Sequence, residues 1–306
     1  SLNPRTGRLH ASFNQMGTDT GRFSSTDPNM QNIPARNKDI RQMFIASPGY
    51  CLLSSDYSQQ EPRLTAHMSR DEKLINAYKQ GKDLYVEIAS IAFHLPYEDC
   101  MEFKPDGTYN PEGAARRQRS KAIVLGVCYG KGVPAIAEDL GISREEAQQI
   151  YDQIMRAFPG LERFMIESQN MARELGYVDT VWGRKRRLPN MQLDPYEFSY
   201  SGKPPANFDP LAFDQEVSNE VPEGIKRKYL AMLNRASWSE KQKIIAQARN
   251  EGIIIKDNSS LIAEATRQCV NSRIQGSAAD MTKKAMLLVG NDVKLKEWGF
   301  RLLLTV

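Results

Sequence analysis

The sequence predicts an α+β protein, with strand-like segments toward its two ends and helices through its middle. Three observations carry that expectation. Short alternating or apolar runs at Arg8–Asn14, Tyr50–Asp56 and Phe300–Val306 read as strands. Helical periodicity, with start and stop signals, fills much of residues 64–175. Tyr177–Pro189 reads as a hairpin around a Gly turn, with a basic second arm.

In chain order, Asn3–Gly7 is a turn and Arg8–Asn14 the first strand. Thr18–Pro34 is rich in Gly, Ser, Asp, Asn and Pro and reads as loop. Tyr50–Asp56 is expected as a short buried strand with a carboxylate at its tip, a rigid way to hold a metal ligand. Pro62 suits a first helical turn, so a helix begins near it. The pattern from Leu64 to Ala92 is helical with a break at Gly81, and residues 94–112 are loop-like. A basic helix comes next. Ser143 and Glu146 form a capping box for another, Pro159–Gly160 ends it, and Leu161–Leu175 is a further helix stopped by Gly176. Residues 192–262 open Pro- and acid-rich, then show a charged helical pattern, Glu223–Asn250, broken at Ser237. Glu264–Met281 and the Lys-rich residues 282–297 are helical, before the last strand.

At 306 residues the chain suits one large domain or two small ones, and a quarter of its residues are charged. Net charge is only +4, but Lys and Arg cluster at 116–121, 184–187 and 226–228, a pattern compatible with a polyanionic partner. Cys51, Cys100, Cys128 and Cys269 lack CxxC spacing and read as free thiols of a reducing compartment. His10, His67 and His94 give no metal-ligand spacing. No apolar run approaches a membrane span and no signal peptide is recognisable, so a cytoplasmic protein with no membrane partner is expected; oligomeric state stays open.

Chemistry concentrates in two stretches. Within Arg116–Gly130, Arg117, Lys121, Leu125 and Tyr129 fall four apart and form one helical stripe, from cations through an apolar side chain to an aromatic one. A nucleoside triphosphate needs that order: charge for its phosphates, apolar contact for sugar and base. Alone, the stripe is as well explained by an amphipathic helix with a solvated basic end. The second stretch is SerAspTyrSerGlnGlnGluProArg, Ser55–Arg63. Together the two resemble motifs B and A of family A DNA polymerases. Thr18–Pro34 resembles the segment that holds the primer–template duplex there, and Glu264–Met281 resembles a helix facing the duplex. Residue 62 is Pro where the family usually has Leu.

The resemblance implies a right-hand polymerase fold with an antiparallel-sheet palm and a mostly helical fingers subdomain. Residues 1–64 and 263–306 would be palm, 65–191 fingers and 192–262 an insertion. It implies DNA-directed DNA polymerase activity on primer–template DNA and dNTP, with two magnesium ions in the complete enzyme. Asp56 and the Tyr57 carbonyl would bind metal, and Arg117 and Lys121 the triphosphate, Lys121 also acting in catalysis. Glu61 would lie under the sugar and exclude a 2′-hydroxyl, with Tyr57 beside the nucleotide. Leu125 stands where the family usually has Phe or Tyr, and the lost flat contact is worth about 0.5–1.5 kcal/mol. Tyr129 would stack near the templating base. Arg22, Asn32, Arg267, Asn271 and Gln275 would contact DNA, Arg22 in the minor groove, where acceptors look alike for A·T and T·A pairs. Tyr85 occupies the place of a phosphate-contacting His and carries no positive charge near neutral pH. The resemblance puts a thumb before Ser1 and the HisAspGlu of motif C after Val306. One carboxylate cannot hold two ions, so this stretch alone is expected to bind DNA in a salt-sensitive way without extending a primer. A competing reading is a non-catalytic DNA-binding remnant.

Overall fold

A computed structural model describes residues 2–34, 38–128, 131–200 and 221–303. The chain divides into two compact units, 1–188 with 266–306, and 189–265.

In the larger unit, β1 (Ser12–Asn14) pairs antiparallel with β2 (Ser24–Thr26). The expected first strand is thus shorter than its alternation suggested, and the polar stretch expected as loop supplies its partner. Helix α1 (Lys38–Gln42) comes next. The helical stretch after residue 59 is three helices, α2 (Gln60–Ser69), α3 (Glu72–Lys79) and α4 (Leu84–Phe93). Besides the break at Gly81 there is one at Arg70, which turns left-handed. Asp71 then restarts the chain as the cap of α3, accepting from the Lys73 and Leu74 N–H groups. The basic helix is α5 (Pro111–Cys128). Helix α6 (Val133–Leu140) precedes α7 (Arg144–Ala157), which carries the expected Ser143–Glu146 capping box. Pro159 opens α8 (Pro159–Leu175), which Gly176 ends in a left-handed turn. The basic hairpin is present as β3 (Tyr177–Asp179) and β4 (Lys185–Arg187).

In the smaller unit, β5 (Tyr196–Tyr200), α9 (Glu223–Arg235), α10 (Trp238–Asn250) and β6 (Ile253–Asp257) enclose their own core of Tyr196, Val221, Tyr229, Leu233, Ala248, Ile253 and Ile255. The break at Ser237 is the capping box of α10. A long helix, α11 (Ser259–Asn291), then runs on into residues of the larger unit, and α12 (Val293–Glu297) begins at an Asp292 cap.

The main apolar cluster of the larger unit joins most of its helices. Leu74 of α3, Leu84 and Ile88 of α4, Ile123 and Val124 of α5, Ile136 of α6, Ile154 of α7, Phe164 of α8, and Val270 and Ile274 of α11 all contribute. Each fully buried aliphatic or Phe side chain contributes about 1.5–3 kcal/mol. Cys269 of α11 is buried, and burial pushes its thiol up to about 11. Among the described residues Cys51, Cys100 and Cys269 form no disulfide.

Two expected strands are absent among the described residues. Residues 50–56 are irregular and exposed, with Leu53 at 79% exposure, and residues 301–303 are irregular as well. An apolar run becomes a strand only when its backbone finds a ladder partner. The two runs do approach each other, since the Arg301 guanidinium lies 5.6 Å over the Tyr50 ring, but their described residues form no ladder; residues 304–306 of the expected last strand lie outside the described residues.

Candidate active site

Asp56 and Tyr57 are exposed, in the irregular stretch before α2. The residues after them are well anchored. Gln59 takes a left-handed conformation and accepts from the Tyr78 hydroxyl at 3.0 Å. Arg63 donates to the Ser58 carbonyl at 2.9 Å and stacks 4.5 Å over the Tyr78 ring. Gln60 donates to the Ala278 carbonyl and Thr282 Oγ1 on α11, at 3.2 and 3.1 Å. The start of α2 is therefore fixed to both α3 and α11, which positions Glu61 at its second residue.

Glu61 is largely buried, its side chain 12% exposed, and it pairs with Arg22 at 3.2 Å. Sequence reasoning gave these residues separate roles; the fold brings them together. Arg22 lies in the loop between β1 and β2, where Thr18 donates to its carbonyl at 2.9 Å. Arg184 fixes the same loop. Its guanidinium donates to the Thr20 and Gly276 carbonyls at 2.7 and 3.1 Å and to Asp280 Oδ1 at 2.7 Å. Thr180 completes the cluster by donating to Asp280 Oδ2 at 2.7 Å. Loop, hairpin and α11 thus share one polar knot. Asn32 is exposed, at the end of the short turn Met30–Asn32.

On α5, Arg117 and Lys121 are half-buried. Arg117 is tied to Asp83, its Nε and Nη2 lying 2.8 and 2.7 Å from Asp83 Oδ2. Among the described residues Lys121 has no hydrogen bond or ion pair, and neither has Asp56, so neither kind of contact links the two. The Leu125 side chain and Tyr129 lie outside the described residues. Tyr85 is buried at 5% exposure, with the Arg117 guanidinium carbon 5.5 Å from its ring centroid. Tyr97 accepts the Asp83 N–H at 2.9 Å; burial, its largest influence, pushes its phenol above the ordinary value.

Arg267, Asn271 and Gln275 succeed one another along α11. Arg267 is exposed and lines a pocket of ≈ 330 Å³ with Gln148, Tyr151 and Gln169. Asn271 Oδ1 is buried without a partner among the described residues. Sequence reasoning missed Asp83 and Arg184. Asp83 carries a local signal, a helix cap after Gly81; its ion pair with Arg117 is tertiary and leaves no mark on the sequence.

The whole chain resembles solved and curated proteins. The polymerase domain of Pol1 from M. smegmatis, solved with DNA primer–template and dNTP, superposes with a TM-score of 0.65 at 30% identity, over 98% of this chain and 40% of that one. The fold is accordingly the α+β fold of a polymerase domain. The profile of DNA polymerase family A matches residues 1–203. DNA polymerase I of Chloroflexus aurantiacus is 33% identical over 310 residues, covering 100% of this chain and 25% of that protein. The Pseudomonas aeruginosa enzyme is 32% identical over 94% of this chain and 29% of its own. Thermostable DNA polymerase I of Thermus aquaticus is 40% identical over 62% of this chain and 22% of its own. The chain belongs to DNA polymerase family A, and it spans roughly a quarter of the length of these curated relatives. Among the described residues no helix is long and apolar enough to cross a membrane.

Proposed function

We propose that the chain is the palm–fingers portion of a cytoplasmic DNA-directed DNA polymerase that adds dNTPs to a primer 3′-hydroxyl. Residues 1–64 and 263–306 belong to the palm, 65–191 to the fingers and 192–262 to an insertion. The observation that carries this reading is the pair of cations on α5, one turn apart: Arg117 already oriented by Asp83, and Lys121 without a partner among the described residues. A triphosphate supplies an anion for Lys121 and for the donors of Arg117 that Asp83 leaves open.

Family A enzymes are nucleotidyltransferases that generally use divalent metals. Asp56 and the Tyr57 carbonyl are hard oxygen donors of the kind magnesium takes. Among the described residues there is no group of three or more His, Cys, Asp or Glu side chains placed for a metal. If magnesium binds here, these two oxygens would be ligands that this stretch supplies to it. When bound, magnesium supplies Lewis-acid polarisation of phosphate and of the attacking hydroxyl. Lys121 and Arg117 neutralise charge growing on the departing pyrophosphate. Glu61 closes the space under the sugar and favours deoxynucleotides. Asn271, on α11, belongs to the DNA-facing set. Arg22, Asn32, Arg267 and Gln275 complete the DNA-facing set, and Leu125 and Tyr129 the nucleotide-facing one.

The test titrates each magnesium–dNTP into the chain bound to a primer–template. The dNTP complementary to the template base should bind best, and Lys121→Ala should weaken it on the order of tenfold or more, the scale of a charged hydrogen bond. DNA binding without any discrimination among the four nucleotides would instead identify a duplex-binding remnant.

A further inference from the structure

We propose that Asp83 is a positioning residue for Arg117 and that Tyr85 acts as the platform under the guanidinium, touching no phosphate itself. This deepens the polymerase reading and rests on the triphosphate role given there to Arg117.

The two oxygens of Asp83 have separate tasks. Oδ1 accepts the Tyr85 N–H at 2.8 Å and caps α4. Oδ2 takes both Nε and Nη2 of Arg117. The backbone of Asp83 is held in turn, since its N–H donates to Tyr97. One turn along α5, Ser120 Oγ donates to the Tyr85 carbonyl, so α4 and α5 are fixed together at two points around this ion pair. The carboxylate therefore cannot swing away to track the arginine; the arginine must conform to it.

Of the five guanidinium donors, Asp83 occupies two on the Nε side. The end-on pair, one N–H from each terminal nitrogen, has no partner among the described residues. That pair forms the planar fork that receives two phosphate oxygens at once. Without a partner, an arginine at 26% side-chain exposure would sample several rotamers and lose that entropy on binding. Asp83 fixes the fork beforehand, at the expense of some net positive potential. Tyr85 completes the arrangement. Being buried, it gives the guanidinium an aromatic face. An imidazole at this place would offer a phosphate one more donor; a phenol buried under Arg117 leaves the work to Arg117.

Four variants test this: Arg117→Ala, Asp83→Asn, the double change and Tyr85→Phe. Each is titrated with magnesium–dNTP and with the matching dNMP in the DNA-bound chain. Asn keeps the α4 cap and the side-chain shape, and circular dichroism and a thermal melt confirm the fold. Arg117→Ala should weaken dNTP binding on the order of tenfold. Asp83→Asn should weaken it about threefold or more, with dNMP affinity unchanged and no further loss in the double variant. Tyr85→Phe should leave dNTP affinity within about twofold. If Arg117→Ala weakens binding and Asp83→Asn does not, the positioning role is wrong and the polymerase reading stands. If Arg117→Ala has no effect, both fall. Equal losses of dNTP and dNMP in Asp83→Asn would mark a merely structural role and overturn the proposal.

Discussion

Arg184 shows how one side chain can place another that it never touches. Its guanidinium joins the Thr20 carbonyl to Asp280 and Gly276 on α11, so the loop bearing Arg22 cannot drift from that helix. The approach is possible because residue 276 has no side chain. A Cβ there would sit 2.8 Å from Thr180 Cγ2 and 3.0 Å from Arg184 Nη2. Gly276→Ala must push the hairpin or the arginine aside, an overpacking that typically costs about 1–3 kcal/mol. Thermal denaturation should show that loss, and DNA affinity should fall with it as Arg22 loosens. Unchanged melting with unchanged DNA binding would mean that the knot yields without consequence. The knot was not legible beforehand. Its members lie far apart in the chain, and each has an ordinary local explanation as turn, hairpin arm or helix face.

At the scale of elements, what local chemistry sets is legible in the sequence, and what needs a partner elsewhere in the chain is not. Gly176, the Ser143–Glu146 box and the Ser237 break mark helix ends through chemistry acting within a few residues, and α8, α7 and α10 end or begin where they predict. The cations of α5 share a stripe because their spacing matches the helical period. The described residues of the runs 50–56 and 300–303 have strand composition, but a strand exists only through a neighbour, and composition names none. Conversely β2, three small polar residues, pairs because the turn before it returns the chain to β1. Asp71 joins both kinds of information. It caps α3 locally, and its other oxygen accepts the Gly160 N–H of α8 at 2.8 Å. Asp71 is 3% exposed, so truncation strands several donors away from water. Asp71→Ala should lower stability by about 2–4 kcal/mol, the sum of a lost cap and an unsatisfied buried N–H. A denaturant melt reads that directly; a loss under about 0.5 kcal/mol, the level of an ordinary surface change, would show that water replaces the carboxylate.

At the scale of the molecule, the two units have separate cores, and the smaller one centres on a phenol. Tyr229 is fully buried among Leu233, Ala248, Ile253 and their neighbours. Burial, first, and the nearby Glu251 carboxylate, second, push its ionisation up to about 12. Among the described residues the hydroxyl has no hydrogen-bond partner of normal geometry, so burial is the cause that counts. The folded form holds the phenolic proton more tightly than the unfolded chain, and this sets the sign of the pH effect. The contribution is whole below the ordinary phenol value near 10 and is lost as pH rises from there through about 12. Amide hydrogen exchange in α9 and α10 should accelerate over that range beyond the chemical rate, while Tyr229→Phe should flatten the dependence. The same variant removes an unpaired buried hydroxyl, so near pH 7 it should leave stability equal or raise it by about 1 kcal/mol. Destabilisation at pH 7 would show that the hydroxyl is engaged with Glu251 after all, and an alkaline loss that persists in the Phe variant would place the titrating group elsewhere.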